Sequence, residues 1–279
     1  MTVKIITDSL GDIPSAVAEE LGITVIPINV IFGTEVFRDG VDLTTEQFYH
    51  KLIHSKIFPA TTIPPLNTYI ELFNKAAKET DEILVITISS KLSNAYEASL
   101  QTVEVMERKC RVEVIDSQWV AMAQGLIVIS AAKAAQAGAG LDEVVDITQR
   151  NIPRAEFRMV FDTLEYLKRG GRIGKAQTFV GSMLKLHPIL GIRDGEVYPF
   201  ARERSRAKAI DYLYNFATSF SHIEEMAVED ATTPDEADRL VERLSTQFPK
   251  EHIYRSKVSP VIGAHVGPRV LGVAVLGDK

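Results

Sequence analysis

Short apolar runs rich in β-branched residues alternate with longer stretches of helical periodicity through the first half of the chain. Val3-Lys4-Ile5-Ile6-Thr7, the run ITVIPINVIF at 23–32, ILVITI at 83–88 and RVEVI at 111–115 read as strands. Helices are expected from about Thr44, from about Ser93 and through GLIVISAAKAAQ at 125–136. This alternation predicts βαβ units and a parallel sheet. The Gly125–Gln136 segment is apolar nearly all round, as expected of a helix pressed against a sheet, and Gly138 and Gly140 end it. After Asn151-Ile152-Pro153 the pattern changes. A strand (MVFDT, 159–163), a short basic helix and the turn Arg169-Gly170-Gly171-Arg172 precede two apolar runs flanking Arg193-Asp194-Gly195-Glu196. Asp-Gly between two such runs predicts a hairpin. A helix over 205–220, a strand MAVED, a helix opened by Thr233-Pro234-Asp235-Glu236 and a strand VLGVAVL at 270–276 follow. We therefore expect an α/β protein of two domains. Residues 1–153 form a parallel-sheet α/β/α domain, and residues 154–279 an α/β domain with a mixed or antiparallel sheet.

The formal net charge of −6 disfavours nucleic acid and anionic lipid surfaces as partners. Cys110 is the only cysteine, which excludes an internal disulfide and cysteine-rich metal centres and fits a reducing cytoplasm. Asp8 arrives before any signal-length apolar stretch forms. The longest mostly apolar stretch, Trp119–Ala132, is shorter than the roughly 20 residues of a membrane span. A soluble cytoplasmic protein without an integral membrane segment is the expectation.

Three first-half strands run into Asp8-Ser9, Ser89-Ser90 and Asp116-Ser117. Ligands of open parallel sheets bind at the carboxyl ends of the strands, so these termini make a hydroxyl-rich rim. Ser93-Asn94 opens a helix there, with Glu97 three residues after Asn94 as in a capping box, and together they make an anion site. The alternative is that Ser93 and Ser9 only cap helices and fill turns. His265, in Gly263-Ala264-His265-Val266-Gly267-Pro268, is expected in a loop before the last strand, either near a ligand or satisfying a local hydrogen bond. Arg169 and Arg172 either recognise phosphate or form an exposed basic turn.

Other motifs fail. Gly170 and Gly174-Lys175 are one residue short of a P-loop, and the hydroxyl residue after the lysine is missing. Ser182-Met183-Leu184-Lys185 has the SxxK spacing without its partner motifs, and no GxSxG elbow occurs. His50 and His54 have i, i+4 spacing but neither the HExxH glutamate nor a third ligand, so no metal site is expected.

Together these residues resemble the DegV family of bacterial fatty-acid-binding proteins. The likeness runs through Thr7-Asp8-Ser9, Phe37-Arg38-Asp39-Gly40-Val41-Asp42-Leu43, Pro59-Ala60-Thr61-Thr62-Ile63-Pro64, Ser89-Ser90-Lys91-Leu92-Ser93, Asp116-Ser117, Leu167–Ile173 and His265-Val266-Gly267-Pro268. It implies a long-chain fatty acid in a tunnel between two α/β domains, its carboxylate held by Ser93, Thr61 and His265, with Thr62 as a neighbouring hydroxyl. It also implies a substrate carrier rather than an enzyme, needing no cofactor and serving a separate ATP-binding fatty-acid kinase subunit. Arg169, Arg172 and Arg202 would steady phosphate or dock that partner. The chain departs from the family pattern at Ile63 and Pro65 in the threonine loop, at Asn94-Ala95, at His187 and at Arg269. The rival readings are a hydrolase or phosphotransferase using Ser93 with His265, oriented by Asp8 or Asp116, and a sensor of another amphiphilic anion.

Overall fold

The computed structural model describes residues 3–182 and 186–279, so Met183–Lys185 of the SxxK spacing lie outside the described residues. In chain order the first half contains β1 (Lys4–Asp8), α1 (Ser15–Glu20), β2 (Thr24–Ile26), β3 (Asn29–Phe32), β4 (Glu35–Arg38) and α2 (Thr45–His54). It continues with β5 (Ala60–Thr62), α3 (Leu66–Ala77), β6 (Glu82–Thr87), α4 (Ala95–Val105), β7 (Arg111–Asp116), α5 (Ala121–Gln136) and α6 (Leu141–Asn151). The second half contains β8 (Ala155–Val160), α7 (Glu165–Arg169), β9 (His187–Arg193), β10 (Glu196–Glu203), α8 (Arg206–Ala217) and β11 (His222–Asp230). It ends with α9 (Pro234–Leu244), β12 (Ile253–Lys257), α10 (Pro260–Val266) and β13 (Leu271–Asp278).

The fold is α/β, with a parallel sheet and a separate mixed sheet. The parallel sheet has strand order β2-β1-β6-β7. Its side chains alternate between two apolar layers. Ile6, Ile83 and Val85 pack with Tyr69 and Phe73 of α3 and Ala98 of α4, while Ile5, Leu84 and Ile86 join the core around α5. The six-stranded sheet, β10-β9-β8-β13-β11-β12, is antiparallel except where β11 meets β12. Asp194 and Gly195, both at positive φ, make the expected hairpin between β9 and β10.

Helix α5 explains its own sequence. It packs against β1, against β8, β11 and β13, and against α6, so two sheets and a neighbouring helix consume its circumference. Leu126, Ile127, Val128 and Ile129 are completely buried in a core that continues from one half of the chain into the other. Gly125 is required by a close approach: a Cβ there would lie 2.4 Å from the Gly11 carbonyl oxygen.

Two expectations are corrected. The run ITVIPINVIF is not one strand. Pro27, which has no N–H for a ladder, separates β2 in the parallel sheet from β3 in a small antiparallel sheet, β4-β3-β5. His265 lies in the last turn of α10 rather than in a loop, because Pro260 opens a helix there and Gly267, at φ 83°, ends it.

Candidate functional site

The strand ends of the parallel sheet converge, but most of their polar groups serve the scaffold. Asp8 accepts from the N–H groups of Ile88 (2.8 Å) and Leu10 (3.1 Å) and from Gln124 Nε2 (3.0 Å). Burial pushes its carboxyl up to about 6. Ser9 Oγ donates to Asp39 Oδ2 (2.8 Å) and accepts from Ile28 N–H (3.2 Å), tying two loops together. Ser90 donates to Asp116 (2.6 Å), and Ser89 donates to the Gly195 carbonyl (2.8 Å), docking the β9–β10 hairpin onto this rim.

Past the rim opens a cavity whose wall draws on both halves of the chain. Its apolar lining includes Leu10, Ile28 and Ile88 from the first half and Phe157, Met159, Leu190 and Ile192 from the second. The polar residues on the wall are Thr61, Thr62, Ser93, Asn94, Arg172 and His265. The cavity has a volume of about 230 Å³. Ser9, Arg169 and Arg202 do not line the cavity.

Each polar wall residue is placed by local sequence. Leu92 and Ser93 donate backbone N–H groups to the Ser89 carbonyl, turning the chain back into α4. That turn leaves Asn94 at φ −85°, ψ 15°, outside the extended conformation of a capping-box residue, and its side chain caps nothing. The expected Asn94–Glu97 box is therefore replaced by Ser93, whose Oγ accepts from Ala95 N–H (3.3 Å). Thr61 and Thr62 lie on β5, where pairing with β3 fixes their register.

Thr61 Oγ1 and His265 Nε2 meet at 2.8 Å, joining β5 to α10 across 204 residues of sequence. Burial, with the Arg172 charge adding to it, pushes the imidazole down to about 4, so it is neutral at physiological pH. Nδ1 is buried without a partner among the described residues. It faces Gly170, where a Cβ would come within 2.2 Å of it. An orphaned lone pair is easier to bear than an orphaned N–H, which puts the ring proton on Nε2, donating to Thr61. The Thr61 hydroxyl proton is thereby free for an anion in the cavity.

Arg172 Nη1 donates to the Gly170 carbonyl (2.8 Å) and Nε to the Leu92 carbonyl (3.3 Å), stapling the glycine turn to the Ser93 loop. Among the described residues it forms no ion pair, leaving its charge available at the cavity. Arg169 is already paired with Glu165 (2.6 Å) and lies over the Phe58 ring, and Arg202 lies over the Phe179 ring at 4.4 Å. His50 and His54 stack with ring centroids 4.4 Å apart, and His54 Nδ1 bonds the His50 carbonyl. The role of Gly170 behind His265 was not read from the sequence, although Arg-Gly-Gly-Arg signals a tight approach.

Comparison with known proteins decides the family. A family described as "Uncharacterised protein, DegV family" matches residues 2–278. The chain belongs to the DegV family. It is 35% identical to a DegV domain-containing protein of Clostridium perfringens, over 98% of each chain. It is 32% identical to protein DegV of Bacillus subtilis, again over 98% of each. Among solved DegV structures, the one described as fatty acid binding from Thermus thermophilus superposes with a TM-score of 0.90 at 28% identity, covering 99% of this chain and all 100% of that one. DegV of Bacillus subtilis, described as a fatty acid binding protein, gives 0.88 at 28% identity and 99% coverage of both. Among the described residues of this DegV chain, no helix is long and apolar enough to cross a membrane.

Proposed function

We propose that this DegV protein binds a long-chain fatty acid, with the acyl chain in the apolar cavity and the carboxylate at the Thr61, Ser93 and His265 end. The observation that carries the reading is the grouping of these three side chains, with Thr62, Asn94 and the Arg172 cation, on the wall of an otherwise apolar cavity. The fatty-acid-binding descriptions of the Thermus and Bacillus structures support it. At about 0.8 kcal/mol per buried methylene, a chain of roughly 16 carbons gains on the order of 12 kcal/mol before ordering costs, so the tail supplies affinity. The head group sets orientation.

Neutral donors suit a carrier that presents its cargo. Hydroxyls hold a carboxylate without neutralising it, so one oxygen keeps the nucleophilicity to attack the terminal phosphorus of ATP held on a separate cytoplasmic kinase subunit. The new bond joins that oxygen to phosphorus, the bond from phosphorus to the bridging oxygen breaks, and ADP leaves with the electron pair. In this reading Arg172 meets the charge developing on the transferred group, and Arg169 and Arg202 dock the partner. The chain itself carries no nucleotide-binding motif and performs no turnover alone.

Organic extraction of freshly purified, denatured protein followed by mass spectrometry tests the reading. Near-stoichiometric fatty acid is expected. An empty protein that also fails to take up added palmitate would overturn it.

A further inference from the structure

Two residues beyond Leu10 of the cavity wall, the chain turns through Asp12 at φ 48°. This aspartate is buried. Its Oδ1 accepts from Ser259 N–H (3.2 Å), its backbone carbonyl accepts from Ser256 Oγ, and its Oδ2 has no partner among the described residues. Glu229 of β11, completely buried, faces it. Glu229 Oε2 accepts from Met122 N–H (3.3 Å), and Oε1 likewise has no partner among the described residues. The nearby cations are spent: Arg255 and Lys257 both pair with Asp230. The Ser259 hydroxyl, itself buried and unpartnered among the described residues, can serve Asp12, but one hydroxyl does not offset two buried, facing negative charges, and a proton between Asp12 and Glu229 does.

We infer that Asp12 and Glu229 share a proton and that Asp12 is a positioning residue for His265. The protonated pair fixes Ser259, the residue preceding α10, against the parallel-sheet half of the molecule. The Ser259 carbonyl accepts from Gly263 N–H (2.8 Å), and His265 follows within the same short helix. What His265 is positioned for rests on the fatty-acid reading; the shared proton does not.

The surroundings favour the protonated form. Burial first, then the charges of Glu229 and Asp39, push Asp12 well above the carboxylate range. Burial, reinforced by Asp230 and opposed by Arg255, pushes Glu229 up to about 8. Asp39 itself is pushed up to about 7 by burial, and the Tyr49 phenol of α2 faces the charges of Asp12, Glu229, Asp230 and Asp39. Carboxyls raised on folding bind more protons in the native state. Their contribution to stability is therefore complete below the ordinary carboxyl range and is lost as the pH rises, for Glu229 through about 8.

The experiment compares wild type with Asp12→Asn, whose amide donates permanently to Glu229, and with Glu229→Gln, which donates to Asp12 should the first variant fold poorly. Three readouts are followed across pH: the infrared band of protonated carboxyls, the His265 ring signals in NMR of delipidated protein, and palmitate affinity. In wild type a buried carboxyl band is expected at neutral pH. As the pH rises and the pair ionises, that band disappears, the His265 signals move and palmitate affinity falls on the order of tenfold, the size of one hydrogen bond to a charged group. In Asp12→Asn the His265 signals and the affinity stay level. Absence of the band, or an Asp12→Asn profile that follows wild type, would overturn the inference. If the band and the His265 signals behave as expected while palmitate binds at no pH, the positioning stands and the fatty-acid reading falls.

Discussion

Replacing Thr61 by valine keeps the shape and branching of the side chain and deletes the hydroxyl that meets His265 Nε2 at 2.8 Å. With the imidazole proton on Nε2, that hydroxyl is the group free to donate to a ligand carboxylate. A hydrogen bond to a charged acceptor contributes about 1.5–3 kcal/mol, and roughly 1.4 kcal/mol is tenfold in affinity, so palmitate binding is expected to weaken by about 10- to 150-fold. Hexadecanol shares the tail but lacks the charge and serves as the internal control, because its affinity comes from the apolar wall that Thr61→Val leaves intact. The assay is titration calorimetry of delipidated protein with both ligands at several pH values between about 5 and 7, where His265, pushed down to about 4, is neutral and the effect is flat with pH. If the ratio of palmitate to hexadecanol affinity is the same in both proteins, Thr61 does not hold the carboxylate and the tautomer argument fails with it.

The same corner yields further expectations. Gly170→Ala places a methyl 2.2 Å from His265 Nδ1, so it should cost about 1–3 kcal/mol in chemical denaturation and weaken palmitate. Gly171→Ala, which meets nothing but sits at φ 70°, should cost only about 1 kcal/mol and leave binding unchanged. Burial of neutral His265 adds stability above its ordinary value of 6.5 that is lost as the pH falls through about 4; His265→Gln should show a shallower acid limb in urea melts. Arg172→Gln should slow kinase-dependent acyl phosphate formation at saturating fatty acid by more than Arg169→Gln, because Arg169 already answers to Glu165.

The sequence carried the parallel sheet, the hairpin and α5 because each writes a regular pattern: blocks of β-branched residues, Asp-Gly between apolar runs, a helix apolar on every side. It carried the break at Pro27 poorly, since the flanking runs are equally apolar and only pairing tells which sheet each joins. Helix α10 escaped notice because seven residues bounded by Pro260 and Gly267 are too few to show a period. Thr61, Thr62 and Arg202 came from family likeness alone; nothing local in the threonine loop announces that it meets a histidine 204 residues away. Asp12 and Glu229 left no trace at all. An aspartate in a turn and a glutamate in a strand ordinarily face water, and only the packing of two sheets around α5 encloses them.

Strand β13 lies between β8 and β11 in the middle of the mixed sheet, and α5 rests on it. It is also the last of the described strands to leave the ribosome. Until it does, β8 and β11 lack their common neighbour and the apolar circumference of α5 is closed on one side only. The nascent chain must therefore carry a partly uncovered greasy helix through about the second half of its synthesis, which makes this helix the natural target of a chaperone and of premature aggregation. Completion of the sheet and burial of α5 are then one event, and the cavity, whose wall needs both halves, comes into being only with it.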